Sequence, residues 1–269
     1  MPEGNVIHNQ ARRLSRAFRG KSVAVDSPQG RFAEGAARVS GAQVRKIEAH
    51  GKHLYIGFDN DLWIHIHLGL FGKWRLGKGE APEPQGQLRL RLRTEESFAE
   101  LRGPTVCEVL TPLEKKASVA KIGPDPIRTD ADPEAAWVKV HKSAQSIGAL
   151  LMDQRIFAGV GNIYRAEVLF RHDISPFRPG NEISRAEFDG IWADLVLLMT
   201  QGTKNGRIDT MRPEHMPKAM GRDARVDRHG GEVYVYRRAG MHCYLCDTEI
   251  RIAEMQGRNL YWCPRCQSS

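Results

Sequence analysis

No stretch of this chain approaches the roughly 18 consecutive apolar residues that a membrane-spanning helix needs, and no charged-then-apolar leader opens it. Both absences lead to the expectation of an intracellular, soluble protein. Cysteine is scarce: there are five among 269 residues, four of them in the last 27, with Cys107 standing alone. An odd number crowded into one corner argues against a disulfide framework. No internal repeat is visible. What the chain does carry is positive charge, with 40 Lys and Arg against 32 Asp and Glu and a formal net charge of +8. That balance suits a polyanionic partner without specifying a fold. The length favours two domains, and a hydrophobic content of 41% is enough for real cores.

The chain begins Met1-Pro2-Glu3-Gly4. Methionine is normally trimmed before a small residue, which would leave the secondary amine of Pro2 beside a carboxylate. An exposed α-amino group titrates near pH ~8, so part of it is neutral and nucleophilic at pH 7. Attack of a secondary amine on an aldehyde carbon gives a cationic iminium, an electron sink that acidifies the adjacent C–H bonds. The alternative is an ordinary chain start. From Val6 to Phe18 the apolar residues Ile7, Ala11, Leu14 and Phe18 follow helical spacing. From residue 22 to about 112 the period is two. Strands are expected at Val23–Val25, Val44–Glu48, Leu54–Phe58, Leu62–Leu68 and Leu88–Arg93, the last alternating leucine and arginine. Turn signals lie at Ser27-Pro28-Gln29-Gly30, at Asp59-Asn60 and between Gly79 and Gly86. This is an antiparallel β domain, read as a sandwich with the first helix packed on it. Gly51-Lys52 falls on a hairpin, where a lysine is ordinarily solvated.

Residues 123–132 read as a linker. Asp132-Pro133-Glu134 then opens a helix, and helical pattern continues to about Gln201, with a capping box at Ser184–Glu187. Residues 202–231 read as a long mobile loop. In Leu151–Tyr164 a helix ending at Gly159 and another starting behind an Asn162 N-cap would meet at a glycine turn. The free N–H groups there suit a phosphate, though a plain helical corner has the same pattern. The strongest local signal is Cys243-x-x-Cys246 followed, after sixteen residues, by Cys263-x-x-Cys266. That is the spacing of a four-cysteine zinc site, with Ile250, Ile252, Leu260 and Trp262 fitting a hairpin between the knuckles. Four thiolates close the coordination shell, so such a zinc would be structural. Arg258 near the hairpin tip is then a rigidly mounted cation, or else a solvated surface arginine.

In order along the chain, Pro2-Glu3, Gly51-Lys52, Asp153-Gln154 with Gly159-Val160-Gly161-Asn162-Ile163-Tyr164, and a terminal finger with Gly257-Arg258 and Cys263-Pro264-x-Cys266-Gln267 resemble the formamidopyrimidine-DNA glycosylase/endonuclease VIII family of bifunctional DNA glycosylases. The resemblance runs from residue 2 to residue 267, and Gly4 is similar to the endonuclease VIII branch. It implies an α+β fold in two domains. An N-terminal catalytic β-sandwich with a leading helix would span 1–122. A linker at 123–132 would lead to a helix–two-turn–helix DNA-binding domain with its long loop at 133–231, then a zinc finger at 232–269. It further implies base excision repair: Pro2 as nucleophile, Glu3 as general acid, Lys52 holding the phosphate beside the lesion, and strand cleavage by β,δ-elimination. Gly161, Asn162 and Arg258 would grip the backbone, with Lys121 adding a contact from the linker. Leu70 and Phe71 would fill the hole left by the flipped base, ordinary core side chains being the other reading. The expected partner is damaged DNA, duplex or single-stranded, with no membrane. The expected cofactor is one structural Zn²⁺, and the expected state is a cytoplasmic monomer, nucleoid-associated if the source is prokaryotic.

Two departures bear on substrate. Val6 stands where the family often has a second glutamate, and Asn5 where proline is common. Val6 cannot exchange protons, so base removal would be affected more than lyase chemistry, which needs mainly the amine. Leu101-Arg102-Gly103 lacks the Arg-Phe pair of the purine-directed branch, which favours oxidised pyrimidines. The alternative function is a non-catalytic or lyase-only DNA-binding member of the same fold.

Overall fold

The stripe of Ile7, Ala11, Leu14 and Phe18 is buried on a helix, α1 (Gly4–Phe18), that begins two residues earlier than the apolar spacing predicts. The computed structural model describes residues 2–226 and 231–268. The chain divides into two compact units, Met1–Lys121 and Ile122–Ser269.

In the first unit α1 is followed by β1 (Ala24–Asp26), α2 (Ala33–Val39), β2 (Val44–His50), β3 (His53–Phe58), β4 (Trp63–His67), β5 (Lys73–Lys78), β6 (Leu88–Arg93), β7 (Ser97–Arg102), β8 (Val106–Leu110) and α3 (Pro112–Ala120). Two four-stranded antiparallel sheets result, ordered β1-β6-β7-β5 and β2-β3-β4-β8. Period-two alternation sends Leu54, Ile56, Ile64 and Ile66 of one sheet and Leu90, Leu92, Ala99 and Leu101 of the other into one core shared with α1. This is the expected sandwich with a leading helix. The arginines of β6 point away from that core, and Arg91 Nε donates to Asp26 Oδ1 at 3.1 Å. Three strands (β5, β7, β8) and two helices (α2, α3) had no counterpart among the expected elements. Cys107 on β8 packs against the core, and burial pushes its thiol up to about 12.

The second unit contains α4 (Pro133–His141), α5 (Ile147–Leu150), α6 (Asn162–Arg171), α7 (Arg185–Asn205), the short α8 (Pro217–Met220) and a hairpin of β9 (Arg251–Met255) and β10 (Arg258–Trp262). The caps predicted at Asp132 and Ser184 are present. Asp132 Oδ1 accepts from the Glu134 N–H at 3.0 Å, and Ser184 and Glu187 form the reciprocal capping box of α7. Helix α7 runs on to Asn205 and stops at Gly206, whose φ of 71° ends it in the left-handed region. The expectation of one loop from 202 to 231 is therefore corrected. Its first residues complete α7, a 3₁₀ turn follows at Pro213–His215, and then α8; residues 227–230 lie outside the described residues. The order has an identifiable cause. The fully buried carboxylate of Glu167 accepts from Thr210 Oγ1 at 2.6 Å and from the consecutive N–H groups of Tyr234, Val235 and Tyr236 at 2.7, 2.8 and 2.8 Å. Both flanks of the segment are thereby tied to α6, and the buried charge is satisfied by donors on all sides.

Candidate functional site

Glu3 is the N-cap residue of α1. Its carbonyl accepts from the Val6 and Ile7 N–H groups at 3.0 and 3.4 Å, which fixes the backbone behind Pro2. The Glu3 residue is only 2% exposed, whereas Pro2 is partly exposed, so a carboxylate withdrawn from water lies next to an accessible proline. The first turn of α1 holds no acidic residue, and Val6 there is half-buried.

Gly51 and Lys52 form the turn between β2 and β3, with Gly51 at a φ of 56° that favours glycine. The expectation of a solvated lysine fails at this position. Lys52 is 7% exposed. Two histidines near it are shifted away from the charged form. Burial first, then the neighbouring His65, His67, His50 and Lys52, push His53 down to about 3; burial and the Lys52 charge likewise lower His67.

The turn after β4 is set by Gly69, at a φ of 63°, where an added Cβ would lie 1.8 Å from Thr105 Oγ1. Only glycine fits there. The turn lifts Leu70 and Phe71 to 46% and 84% exposure, which excludes the reading of both as core side chains. Lys121 is exposed, but it is the C-terminal cap of α3 rather than a linker residue. The Thr111–Glu114 capping box that starts α3 was the available sequence signal for that helix.

In the second unit the glycine turn is built differently from the expectation. The preceding helix α5 ends at Leu150, and consecutive turns lead to α6. Gln154 braces those turns: its Oε1 accepts from the Gly159 N–H at 3.0 Å, and its Nε2 donates to the carbonyls of Val160 and Met152 at 2.9 and 3.0 Å. The N-cap of α6 is Gly161 in an extended conformation, not Asn162, which is the first helical residue. The reason is that the Asn162 side chain is used elsewhere. Its Nδ2 donates to the Asn259 carbonyl on β10 at 2.8 Å, and its Oδ1 accepts from Arg165. Arg165, fully buried, also donates to the Met255 carbonyl at 3.3 Å. Two side chains of α6 thus tie both strands of the hairpin beside its turn. Arg165 was missed because an arginine inside an apolar helical run reads as a surface residue.

Arg258 opens β10, opposite Met255 across the two-residue turn Gln256-Gly257. Both turn residues have positive φ, 56° and 64°, the mirror-image turn that matches strand twist. Below the hairpin, the Sγ atoms of Cys243, Cys246, Cys263 and Cys266 all lie within 4.8 Å of one another. Four sulfurs at ~2.3 Å from one tetrahedral ion would be about 3.8 Å apart. The Cys243–Cys266 and Cys246–Cys263 separations of 3.9 and 3.4 Å fit that shell, so the four thiols could hold a metal ion. The knuckles are preformed by backbone bonds: Asp247 N–H donates to the Cys243 carbonyl and Gln267 N–H to that of Cys263, both at 3.0 Å. Gln267 also receives the Cys263 N–H at 3.0 Å and donates to the Ile174 carbonyl at 2.9 Å, which anchors the second knuckle. Among the described residues no helix is long and apolar enough to cross a membrane.

Comparison with known proteins agrees with this arrangement. Residues 1–107 match the model of the formamidopyrimidine-DNA glycosylase N-terminal domain, and residues 122–212 that of the formamidopyrimidine-DNA glycosylase H2TH domain. Endonuclease 8 1 of Mycobacterium tuberculosis is 48% identical over 275 residues, with all of both chains covered. Endonuclease 8 of Escherichia coli K12 is 28% identical, covering 99% of this chain and 100% of that protein. Wild-type Lactococcus lactis Fpg (MutM), solved in complex with a DNA containing N7-benzyl-Fapy-dG, has the same fold, with a TM-score of 0.81 at 24% identity and both chains fully covered. With nearly half of its residues shared along the full length of one relative, and family models matched in both units, the chain belongs to the formamidopyrimidine-DNA glycosylase/endonuclease 8 family.

Proposed function

We propose that the protein is a bifunctional DNA glycosylase/AP lyase of base excision repair that removes oxidised pyrimidines and cleaves the strand by β,δ-elimination through a Schiff base on Pro2. The observation that carries the reading is the full-length 48% identity to a protein named endonuclease 8. The chemistry at the chain start supports it. A target base must leave the stack to be reached. The amine of Pro2, with Met1 removed, attacks C1′ as the glycosidic bond breaks and the base leaves with the bonding pair. Glu3, dry and adjacent, gives its proton to the sugar-ring oxygen, and the ring opens to an iminium. Loss of a C2′ proton expels the 3′ phosphate, and a second elimination expels the 5′ phosphate, leaving a one-nucleotide gap. Lys52 holds the phosphate beside the lesion. Leu70 and Phe71, apolar yet exposed, suit insertion between bases. Lys121, Gly161, Asn162 and Arg258 bind the backbone, and one structural Zn²⁺ in the four-thiolate site keeps Arg258 in place. The protein acts as a cytoplasmic monomer, nucleoid-associated in a prokaryotic cell.

Val6 favours a second reading, a lyase-only member, because α1 offers no further carboxylate in its first turn. Borohydride trapping separates the cases. The native protein should form a covalent adduct on DNA with an abasic site and on DNA with an oxidised pyrimidine, and Pro2→Gly on neither. An adduct restricted to the abasic site leaves the lyase-only reading; an adduct undiminished in Pro2→Gly removes Pro2 from the mechanism.

A further inference from the structure

The first cysteine pair encloses an aromatic residue, since the knuckle reads Cys243-Tyr244-Leu245-Cys246. The Tyr244 ring lies between two arginines. The guanidinium carbon of Arg238 is 3.4 Å from its centroid, and that of Arg222 is 4.0 Å away. At such distances each guanidinium lies over a face rather than at the ring edge, and one face has no room for two. The ring is therefore sandwiched, with one cation on either side.

The two arginines come from different parts of the second unit. Arg238 is buried; its Nη2 donates to the His242 carbonyl at 2.6 Å, directly ahead of the first cysteine, and its Nη1 donates to the Tyr234 carbonyl. The Tyr234 N–H is bonded to Glu167 on α6, so one side of the sandwich is fixed to the body of the unit. Arg222 follows α8 after Gly221, whose φ of 63° ends that helix, and its N–H donates to the Pro217 carbonyl at 3.0 Å. Its Nη2 meets Glu232 Oε2 at 2.7 Å, and Glu232 Oε1 accepts from the Arg225 N–H at 2.6 Å. Two guanidinium charges on one ring repel, and the buried Glu232 carboxylate offsets that repulsion on the Arg222 side. Helix α8 has only four residues and buries none of them, so neither its length nor its packing holds it. Arg222 and Arg225 are the clasps of residues 217–225, and one of them closes on the knuckle.

We propose that Tyr244 couples the four-thiol site to this segment. A metal ion bound by Cys243 and Cys246 fixes the ring between the arginines, and loss of the metal frees the ring and with it residues 217–225. The two cysteines bracket Tyr244 in the chain, so a closed coordination shell fixes the backbone on both of its sides. Thiolates gathered without a cation repel one another, and a shell that opens displaces the residue between two of its ligands. Metal content then decides the order of α8 as well as that of the finger. The coupling rests on the reading of the four thiols as a zinc site.

Amide hydrogen exchange by NMR tests it, on the full-length protein in reducing buffer, with zinc content measured in parallel. The reporters are the hydrogen-bonded amides of Met220, Arg222 and Arg225. Removing zinc with EDTA should speed their exchange about ten-fold, the size of one desolvated cation–π contact, while α6 and α7 stay protected. Tyr244→Leu with zinc bound should speed it by a similar factor. Tyr244→Phe keeps a ring face for both cations and should match the native protein. Unchanged exchange on zinc removal, unchanged exchange in zinc-bound Tyr244→Leu, or a Tyr244→Phe as loose as the leucine variant each overturns the coupling. If Tyr244→Leu binds no zinc, Arg222→Gln, which leaves the knuckle intact, takes its place. Its reporters should already be fast with zinc bound, and EDTA should add little, because coupled contacts are not lost independently; additive increases overturn the coupling. A native protein holding well below one equivalent of zinc instead removes the zinc reading, and the coupling with it.

Discussion

The sandwich and the finger solve one problem, holding a few polar groups still, by different physical means. In the sandwich, two sheets and α1 bury more than twenty apolar residues in a single cluster, and Glu3, Lys52 and the histidines of β3 and β4 are mounted on that frame. The finger has two five-residue strands and little apolar mass of its own, with Met241, Leu245 and Ile252 exposed. Its rigidity comes from four thiols gathered at one point and from the ties that Asn162, Arg165 and Gln267 make to its backbone. Packing energy is spread over many contacts and fails gradually. Ligation is concentrated and fails all at once.

Removing the zinc proposed for the four-thiol site should break the comparison most completely. Apparent binding energies of structural zinc run about 10–16 kcal/mol, and in a finger this energy is folding energy. Chelation should therefore abolish amide-exchange protection across β9 and β10 and eliminate DNA binding, while β2, β3 and β4 stay protected. Persistent protection of the hairpin without metal would show that side-chain ties alone suffice. In the sandwich, a single deletion should be costly without being fatal. Leu54→Ala removes a buried side chain and should cost about 2–5 kcal/mol in urea unfolding, with metal content unchanged; a loss below 1 kcal/mol would mean that the core collapses around the cavity. The smallest effect is an acid slope confined to the sandwich. Burial lowers the pKa of folded His53 to about 3 from an ordinary 6.5, so between these values the unfolded chain takes a proton that the folded one refuses. Stability is thus full above pH 6.5 and falls with pH toward 3, at no more than about 1.4 kcal/mol per pH unit. His53→Gln should flatten this slope between pH 6 and 4 relative to the native protein; identical slopes would place the titration elsewhere.

What could be read from the sequence was what is local. The spacing of Ile7, Ala11, Leu14 and Phe18, the Asp132 and Ser184 caps, and the paired cysteines each lie within about three helical turns or one knuckle. The missed strands break alternation for reasons that only tertiary structure supplies. β5 contains Gly77 because an added Cβ would lie 2.3 Å from the Phe98 ring of β7. β7 carries Glu100, fully buried yet paired with Arg102 at 2.8 Å, where an apolar residue would be expected. The site shows the same division. Pro2, Glu3 and the cysteines announce themselves by position, and so does the Gly51-Lys52 turn. The burial of Lys52 is invisible in its own turn, and the hydrogen bonds that join Glu108 to His65 and His65 to His53 depend on a register that no single segment encodes.

Cys107 gives this division a chemical edge. Its thiol is packed against the sandwich core and held far from ionisation, so it offers an oxidant no thiolate to attack. Among the finger sulfurs Cys246 is the one pushed down, to about 6, so it is the thiolate that a reagent meets first. A peroxide or an alkylating reagent should therefore begin in the finger and spare Cys107. Inactivation by oxidation would then be a loss of grip on the nucleic acid that leaves the N-terminal amine intact. Restoring the thiols first and the proposed metal second should recover it.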